Sequence, residues 1–157
     1  MPAKAVELKV DGVAVDWRGS PVVVLREKGG RRAVFIWVGI AEATAIGMYL
    51  ENRRPPRPWT HDLIVLILGE LGSRVERITI SDMRSDTYYA ELQLRTGNQV
   101  HKIDCRPSDA IAVALRTSAS IYIDNDLLTR LDAQQRDAEA QISSASTFVD
   151  ADENIVH

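Results

Sequence analysis

The sequence is poor in several features on which many folds and active sites depend. Cys105 is the single cysteine among 157 residues, which excludes an intramolecular disulfide and any metal site built from several cysteines. No apolar run approaches the roughly 20 residues of a membrane-spanning helix. The first residues, among them Lys4 and Glu7, lack the apolar core of a signal peptide. These absences predict a protein of the reducing cytoplasm that does not enter a membrane.

Familiar signatures of enzymes and nucleotide-binding proteins are missing as well. The chain has no glycine-rich phosphate loop, no Gly-x-Ser-x-Gly and no His-Glu-x-x-His. Of its three histidines, His101 falls within a predicted strand and His157 is the last residue. His61 is therefore the histidine that is best placed for chemistry.

The chain also lacks a strong net charge. The formal net charge is −3, and residues 124–157 contribute −6, which leaves +3 for the rest of the chain. A mildly basic body beside an acidic segment is compatible with a polyanionic partner. Hydrophobic residues make up 45% and charged residues 26%, proportions typical of a soluble globular protein with one domain of this length.

Hydrophobic periodicity predicts a single α+β domain over residues 1–131. Alternating apolar residues predict a mixed, mainly antiparallel sheet, with strands at residues 6–10, 13–17, 22–25, 33–38, 75–80, 88–95, 99–105 and 121–123. Helical spacing predicts three or four helices, at residues 40–51, 61–71 and 108–116 and around Leu127 and Leu131. Residues 132–157 are acidic and rich in serine and alanine, which predicts a flexible tail.

What the sequence does contain is a pair of similar helix starts. Residues 55–62, PPRPWTHD, and residues 106–109, RPSD, both lead from Arg-Pro to a hydroxyl and a carboxylate before an apolar run. Thr60 is the predicted N-cap of the first helix, with His61 and Asp62 in its first turn. Because helix N-termini and arginines both attract anions, we expect the two starts to lie close together and share one anion.

The helix predicted at residues 61–71 is apolar all round. Such a helix is usually buried, either in the core or at a subunit contact. We therefore expect the chain to form a homo-oligomer, most simply a twofold dimer.

Polar residues at the ends of the predicted elements are the candidates for chemistry. They are Glu42, His61, Asp62, Asp82, Asp104, Arg106 and Asp109. Carboxylates and imidazole can hold a hard divalent cation that activates water or steadies a phosphate. The alternative is structural: Glu42 complements the dipole of its helix, and the aspartates cap helices or pair with Arg57 and Arg106.

Three segments of the chain resemble the bifunctional nuclease family. They are residues 36–43, IWVGIAEA, residues 56–63, PRPWTHDL, and residues 104–112, DCRPSDAIA, with Asp82 and residues 87–90, TYYA, between the last two. The resemblance implies a compact mixed α and β domain that self-associates and hydrolyses both DNA and RNA. Trp59, Cys105 and Val38 depart from the family, which usually has a smaller aliphatic residue, alanine and isoleucine there.

The resemblance also marks the residues of a candidate site. Carried over by position, they are Glu42, Arg57, Thr60, His61, Asp62, Asp82, Thr87, Asp104, Arg106, Ser108 and Asp109. The expected phosphate-binding residues are Arg57, Thr60, Arg106 and Ser108. The expected catalytic residues are His61, which transfers a proton, and the carboxylates Glu42, Asp62, Asp104 and Asp109.

The last three of these carboxylates, Asp62, Asp104 and Asp109, are the candidate ligands for a metal. Mg²⁺ or Mn²⁺ held there would position the attacking water. Two other interpretations stay open. In one, the same pocket belongs to a regulatory or interaction module that binds a phosphorylated ligand or nucleic acid without catalysis. In the other, the motifs are structural and lock the two helix starts against each other.

Overall fold

One mixed sheet runs through the part of the chain that the computed structural model describes, residues 4–143 and 148–150. Its strands are β1 (Ala5–Val15), β2 (Pro21–Glu27), β3 (Ala33–Trp37), β4 (Ser73–Arg84), β5 (Thr87–Thr96), β6 (Gln99–Cys105), β7 (Ser120–Asp124) and β8 (Phe148–Asp150). The sheet order is β3-β2-β1-β7-β4-β5-β6, and β8 pairs with β1 beside this path. Among the described strands, β4 and β7 form the one parallel pair. The predicted α+β class with a mainly antiparallel sheet is confirmed.

The described residues form five helices, so the predicted number of three or four is wrong. They are α1 (Ile40–Leu50), α2 (Thr60–Glu70), α3 (Pro107–Thr117), α4 (Asn125–Gln134) and α5 (Arg136–Ser143). The sequence did not predict α5, because Ile142 is its one large apolar residue and gives no periodic pattern. Within the described residues, none of these helices has both the length and the apolar character needed to cross a bilayer.

The first strand is continuous where the sequence predicted two. Its register with β2 shifts between Val10 and Gly12, which places a bulge at Asp11. The bulge exchanges the two faces of the strand. Val10 and Val13 therefore both contact the main core, while Ala14 joins a second cluster.

The main core lies between one face of the sheet and helices α1, α3 and α4. Its fully buried side chains include Ile46 of α1, Ile111 of α3, Leu128 of α4 and Ile78 of β4. A smaller cluster covers the other face of β1, β2 and β3, and its members are Ala14, Val22, Val24, Ala33, Phe35 and Ile142. The residues of β2 are thus buried on both faces.

The segment after residue 131 covers the edge strand β3. The Asp132 carboxylate accepts a hydrogen bond from Ala33 N (3.1 Å). The Gln135 side chain accepts one from Phe35 N (2.9 Å) and donates one to Phe35 O (3.0 Å). These contacts satisfy backbone groups that an edge strand would otherwise leave open.

The predicted domain boundary at residue 131 remains a prediction, but packed residues continue beyond it. Asp132 and Gln135 contact β3, and Ile142 is buried in the second cluster. Residues 144–147 and 151–157 of the predicted tail lie outside the described residues.

Helix α2 lies at the surface of the single chain. Of its residues, all of which the structure describes, only His61 is buried. Ile64, Val65 and Leu68 contact the main core from its margin. The prediction that α2 is buried in the core is therefore wrong. Its burial at a subunit contact remains a prediction.

Candidate functional site

The two helix starts lie side by side, as the sequence predicted. His61 in the first turn of α2 is buried, and its Nε2 lies 2.9 Å from Oδ1 of Asp109 in the first turn of α3. In the neutral ring, an Nε2–H donated to this carboxylate leaves Nδ1 as the basic nitrogen. Nδ1 is the ring nitrogen that does not contact Asp109.

The start of α2 differs in detail from the prediction. Trp59, with an extended backbone, is the N-cap, and Thr60 is the first helical residue. The prediction of Thr60 as the N-cap is therefore wrong by one position. Asp62 closes the first turn instead, because its carboxylate accepts a hydrogen bond from Trp59 N at 2.9 Å.

Arg106 links the His61–Asp109 pair to α1. Its Nε donates to Oδ2 of Asp109 (2.8 Å), and its Nη2 lies 2.9 Å from Oε1 of Glu42. Hydrogen bonding to Asp109 is the largest influence that raises the pKa of Arg106. Glu42 therefore contacts Arg106, Arg106 contacts Asp109, and Asp109 contacts His61. These contacts join the starts of α1, α3 and α2.

The charge of Asp109 is maintained against partial burial. Burial is the largest single influence on its pKa and acts to raise it, but hydrogen bonds from Arg106 and His61 and the charges of these neighbours together outweigh burial. The resulting pKa is lower than that of an ordinary aspartate. Asp109 thus stays ionised near neutral pH and can hold the His61 ring in one orientation.

These side chains open into a cavity of about 940 Å³. Its polar lining includes Glu42, Thr60, His61, Arg106 and Asp109, and Trp59, Leu63 and Ile64 are among its apolar walls. The cavity is accessible to solvent, and Arg106 is its most exposed charged group, with 65% of its side chain accessible. A reactant that entered would meet a guanidinium, two carboxylates and an imidazole.

A second cavity of about 460 Å³ lies on the other side of Arg106. Thr87, Ser108 and Trp37 line it together with Arg106. Ser108 is only 7% exposed. Thr87 and Ser108, both predicted from the family motifs, are therefore close to Arg106 but outside the His61 cavity.

Asp62 has a structural environment that differs from that of Asp109. Its Oδ1 accepts from Nε of Arg116 at 2.7 Å, and this arginine is 8% exposed. Arg116 also donates to Ala45 O (3.1 Å) and Ala112 O (2.9 Å). The pair therefore ties α2 to α1 and α3.

Several influences set the charge of Asp62. Burial is the largest and opposes ionisation, but hydrogen bonds from Trp59 N and Arg116, together with the charges of Arg116 and Arg54, lower the pKa. Sequence reasoning missed Arg116, although a lone arginine after the apolar run Ala110–Leu115 was a visible signal of a buried ion pair.

The remaining predicted residues lie outside the His61 cavity. Asp104 is exposed on β6, opposite Glu91 of β5. Asp82 pairs with Arg84 at 2.9 Å and lies 3.8 Å from Arg130. Arg57 is exposed and has no ion pair within residues 4–143 or 148–150. The structure thus brings together Glu42, Thr60, His61, Arg106 and Asp109, and it separates Arg57, Asp62, Asp82 and Asp104 from them.

The predicted metal ligands do not assemble. In the described ranges, no group of three histidine, cysteine, aspartate or glutamate side chains is arranged to hold a metal ion. Asp62 contacts Arg116, Asp104 is on β6, and Asp109 contacts Arg106 and His61. These residues do not fit Mg²⁺ or Mn²⁺ in this arrangement.

Cys105 is not a nucleophile of this site. Burial is the main cause that raises the pKa of its thiol to about 11. The thiol therefore stays protonated at neutral pH, where it is unreactive.

A buried histidine oriented by a carboxylate, beside an exposed arginine in an open cavity, is an arrangement suited to acid–base chemistry on an anionic substrate. The chain belongs to the bifunctional nuclease domain family, whose sequence profile matches residues 23–136. The family resemblance that the motifs predicted is confirmed. The matched region includes every residue of the His61 cavity named above.

Individual relatives differ in how much of this chain they match. A protein of Mycobacterium tuberculosis, named only as uncharacterized, is 38% identical over 125 residues, 79% of this chain and 74% of its own length. Bifunctional nuclease 1 of Oryza sativa subsp. indica is 35% identical over 77 residues, 47% of this chain and 23% of the rice protein. Bifunctional nuclease 2 of Oryza sativa subsp. japonica is 27% identical over 112 residues, 69% of this chain and 34% of the rice protein.

Proposed function

We propose that this chain is a nuclease that hydrolyses phosphodiester bonds of DNA and RNA in the His61 cavity. Membership of the bifunctional nuclease domain family supports the class of reaction. The observation that carries the proposal is the 2.9 Å contact between His61 and Asp109 inside a cavity that Arg106 also lines.

In the proposed reaction, His61 moves the proton. Nδ1 of the neutral ring takes a proton from a water molecule while the water oxygen bonds to phosphorus and the bond to the leaving oxygen breaks. The ring then returns this proton to the leaving oxygen. Asp109 holds the ring and stabilises the imidazolium that forms between the two transfers.

The phosphate is held by the exposed guanidinium of Arg106 and the hydroxyl of Thr60. Phosphate must compete with Glu42 and Asp109 for the donors of Arg106. Because two carboxylates oppose one guanidinium, we expect protonation of His61 to strengthen phosphate binding and its deprotonation to permit catalysis.

The proposal also includes the setting in which the chain acts. Nucleic acid is its proposed partner, a homo-oligomer its proposed assembly and the cytoplasm its proposed location. A phosphate-binding role for Arg57 and Ser108 and a functional role for Asp82, Thr87 and Asp104 remain predictions from the family motifs.

Replacement of His61 tests the proposal against a matched control. We expect His61→Ala to lower the rate of cleavage of single-stranded RNA and DNA by about 10² to 10⁴. His101→Ala should leave the rate unchanged, because His101 is exposed on β6. Rates are measured on repeatedly purified protein, with Mg²⁺, with Mn²⁺ and with EDTA, and folding is checked by circular dichroism. Equal rates in a folded His61→Ala variant and the wild type would rule out this mechanism.

One observation favours a second function, the binding of a phosphorylated ligand without catalysis. The cavity beside Thr87 is lined by the almost completely buried Ser108 next to Arg106. If purified wild type cleaves nothing yet a nucleotide raises its melting temperature, and Ser108→Ala reduces that shift, the binding function replaces the nuclease.

A further inference from the structure

The side chain of Arg106 lines two cavities. One is the His61 cavity, in which the proposed cleavage takes place. The other, of about 460 Å³, is lined by Trp37, Thr87 and Ser108 among others, and we name it the Trp37 cavity. Apart from Arg106, the described residues that line the two cavities are different. A phosphate on Arg106 would therefore have a cavity to either side, and the proposed reaction uses only one of them.

The indole ring of Trp37 is exposed and yet fixed in position. Trp37 is the last residue of β3 and is 40% exposed. Its Nε1 donates to Oδ2 of Asp16 at 3.0 Å, and Oδ1 of this carboxylate accepts from Arg18 N and Ser20 N, both at 2.9 Å. The ring is thus held by a turn that its own hydrogen bonds stabilise. Because the ring is ordered before a ligand arrives, stacking on it costs little conformational entropy.

The wall of the Trp37 cavity that comes from β5 is also held in place. The hydroxyl of Tyr88 donates to Phe35 O at 3.1 Å, which joins the start of β5 to β3. The turn before β5 has two residues in the left-handed region, Ser85 with φ of 48° and Asp86 with φ of 61°. Asp86 and Thr87 line the cavity, where they supply a carboxylate and a hydroxyl. An aromatic surface with a few polar groups around it is typical of a small-molecule site.

The charges of the Trp37 cavity favour an uncharged group over a second phosphate. Its described lining includes one cation, Arg106, and one carboxylate, Asp86. A further phosphate would approach Asp86 without a cation of its own. An aromatic base meets no such opposition, and its amino groups can donate hydrogen bonds to a carboxylate. A volume of about 460 Å³ is also within the range of small-ligand pockets.

We propose that the Trp37 cavity binds the nucleobase next to the phosphate on Arg106, with the base stacked on Trp37. The inference rests on the proposed function, because it takes this phosphate to be the one that is cleaved. Trp37 is then a specificity-determining residue. It selects an unpaired base, since a base in a duplex must leave its stack before it can enter a cavity.

Substitutions of two tryptophans test the proposal by steady-state kinetics. Trp37→Ala should raise KM for a single-stranded oligonucleotide about tenfold and leave kcat nearly unchanged, because stacking stabilises the substrate and the transition state alike. Trp37→Phe keeps an aromatic ring and should keep most of the affinity. Trp17→Ala is the matched control, since Trp17 is 65% exposed and lines neither cavity. It should leave both constants unchanged, and circular dichroism checks the fold of each variant.

Equilibrium binding isolates the contribution of the base without any cleavage. The probes are adenosine 5′-monophosphate, adenosine 3′-monophosphate and ribose 5-phosphate, which has the phosphate but no base. The isomer that directs its base to Trp37 should bind to the wild type about tenfold more tightly than ribose 5-phosphate does. In Trp37→Ala, this preference should disappear, whereas Trp17→Ala should retain it. Dissociation constants are measured by NMR titration.

The two measurements separate this inference from the proposed function. A wild type that cleaves nothing but prefers the adenosine monophosphate through Trp37 would contradict the nuclease and support the base site. A wild type that cleaves, with KM unchanged in Trp37→Ala, would overturn the base site alone. An equal preference for the base in the wild type and Trp37→Ala would also overturn it. So would a Trp37→Ala variant that loses kcat but not affinity, because stacking cannot cause that result.

Discussion

Helices α2 and α3 begin with similar residues but differ in how much of them is buried. α2 has six consecutive large aliphatic residues, Leu63–Leu68, yet His61 is the only residue buried within this fully described helix. α3 has only three large aliphatic residues, yet it buries Ile111 and the residues beside it. Its alanines allow α3 to lie close against the sheet, whereas α2 packs at the margin. Apolar content therefore did not decide which helix is in the core.

The same comparison applies to the carboxylates in the first turns. Asp62 and Asp109 hold equivalent positions in their helices, but Asp62 pairs with the buried Arg116 and Asp109 with the exposed Arg106. One aspartate therefore ties helices together, and the other faces a cavity with His61. A shared local motif gave two different roles, because the partner of each carboxylate comes from a distant part of the chain.

The largest expected effect contrasts isoleucines of the two helices. Ile111→Ala should lower the free energy of unfolding by about 2–5 kcal/mol, because a fully buried side chain leaves a cavity. Ile67→Ala should cost less than about 1 kcal/mol in the monomer. Urea unfolding at two protein concentrations checks this, since a loss at Ile67 that arises from self-association grows with concentration. Equal losses at low concentration would mean that the two helices are buried alike.

The next effect concerns the ion pair that ties α2 to its neighbours. Arg116→Met should lower the free energy of unfolding by about 3 kcal/mol, at the lower end for a broken buried pair. The lower end applies because Asp62 remains 26% exposed. Arg54→Met is the matched control, since Arg54 is exposed and stacks on the same Tyr49 ring. If both variants unfold at the same urea concentration, Asp62 is not a structural tie.

A polar helix extends the comparison between apolar content and burial. Ile142→Ala in α5 should cost about 2 kcal/mol, more than Leu66→Ala in the monomer. Truncation after Gln134 should lower the melting temperature by several degrees, at roughly 2–4 °C per kcal/mol. Calorimetry measures both. An unchanged melting temperature would show that α5 adds no stability and that the chain is a domain ending near residue 131.

The smallest effect distinguishes the two first-turn aspartates from an exposed one. Folding lowers the pKa of Asp62 and Asp109, so each contributes stability above its ordinary pKa and loses it as the pH falls through the folded value. The melting temperature of the wild type should therefore fall more between about pH 5 and pH 3 than that of Asp62→Asn or Asp109→Asn. Asp104→Asn, on β6, should retain the full wild-type dependence. If the melting temperatures of Asp62→Asn and Asp109→Asn fall with pH as steeply as that of the wild type, other groups cause the acid sensitivity.

The sequence predicted most of the fold because local patterns carried the information. Alternation located the strands, and Gly72, with φ of +70°, follows α2 as expected of a helix end. The pattern failed at β1, where the bulge at Asp11 joins two predicted strands, and at α5, where one buried isoleucine replaces a periodic stripe. Both failures are cases in which a distant contact outweighs the local pattern.

By itself, the sequence determined the family, the class of fold and the two helix starts, and it predicted His61 as the histidine for chemistry. These follow from residue types at short spacing, which backbone geometry converts directly into helix starts and strand faces. Only the tertiary structure decided that Asp109 is the partner of His61, that Asp62 is the partner of Arg116, and that α2 is exposed. The physical reason is that a contact between residues about fifty positions apart depends on how helices pack on the sheet, and no local pattern records that packing.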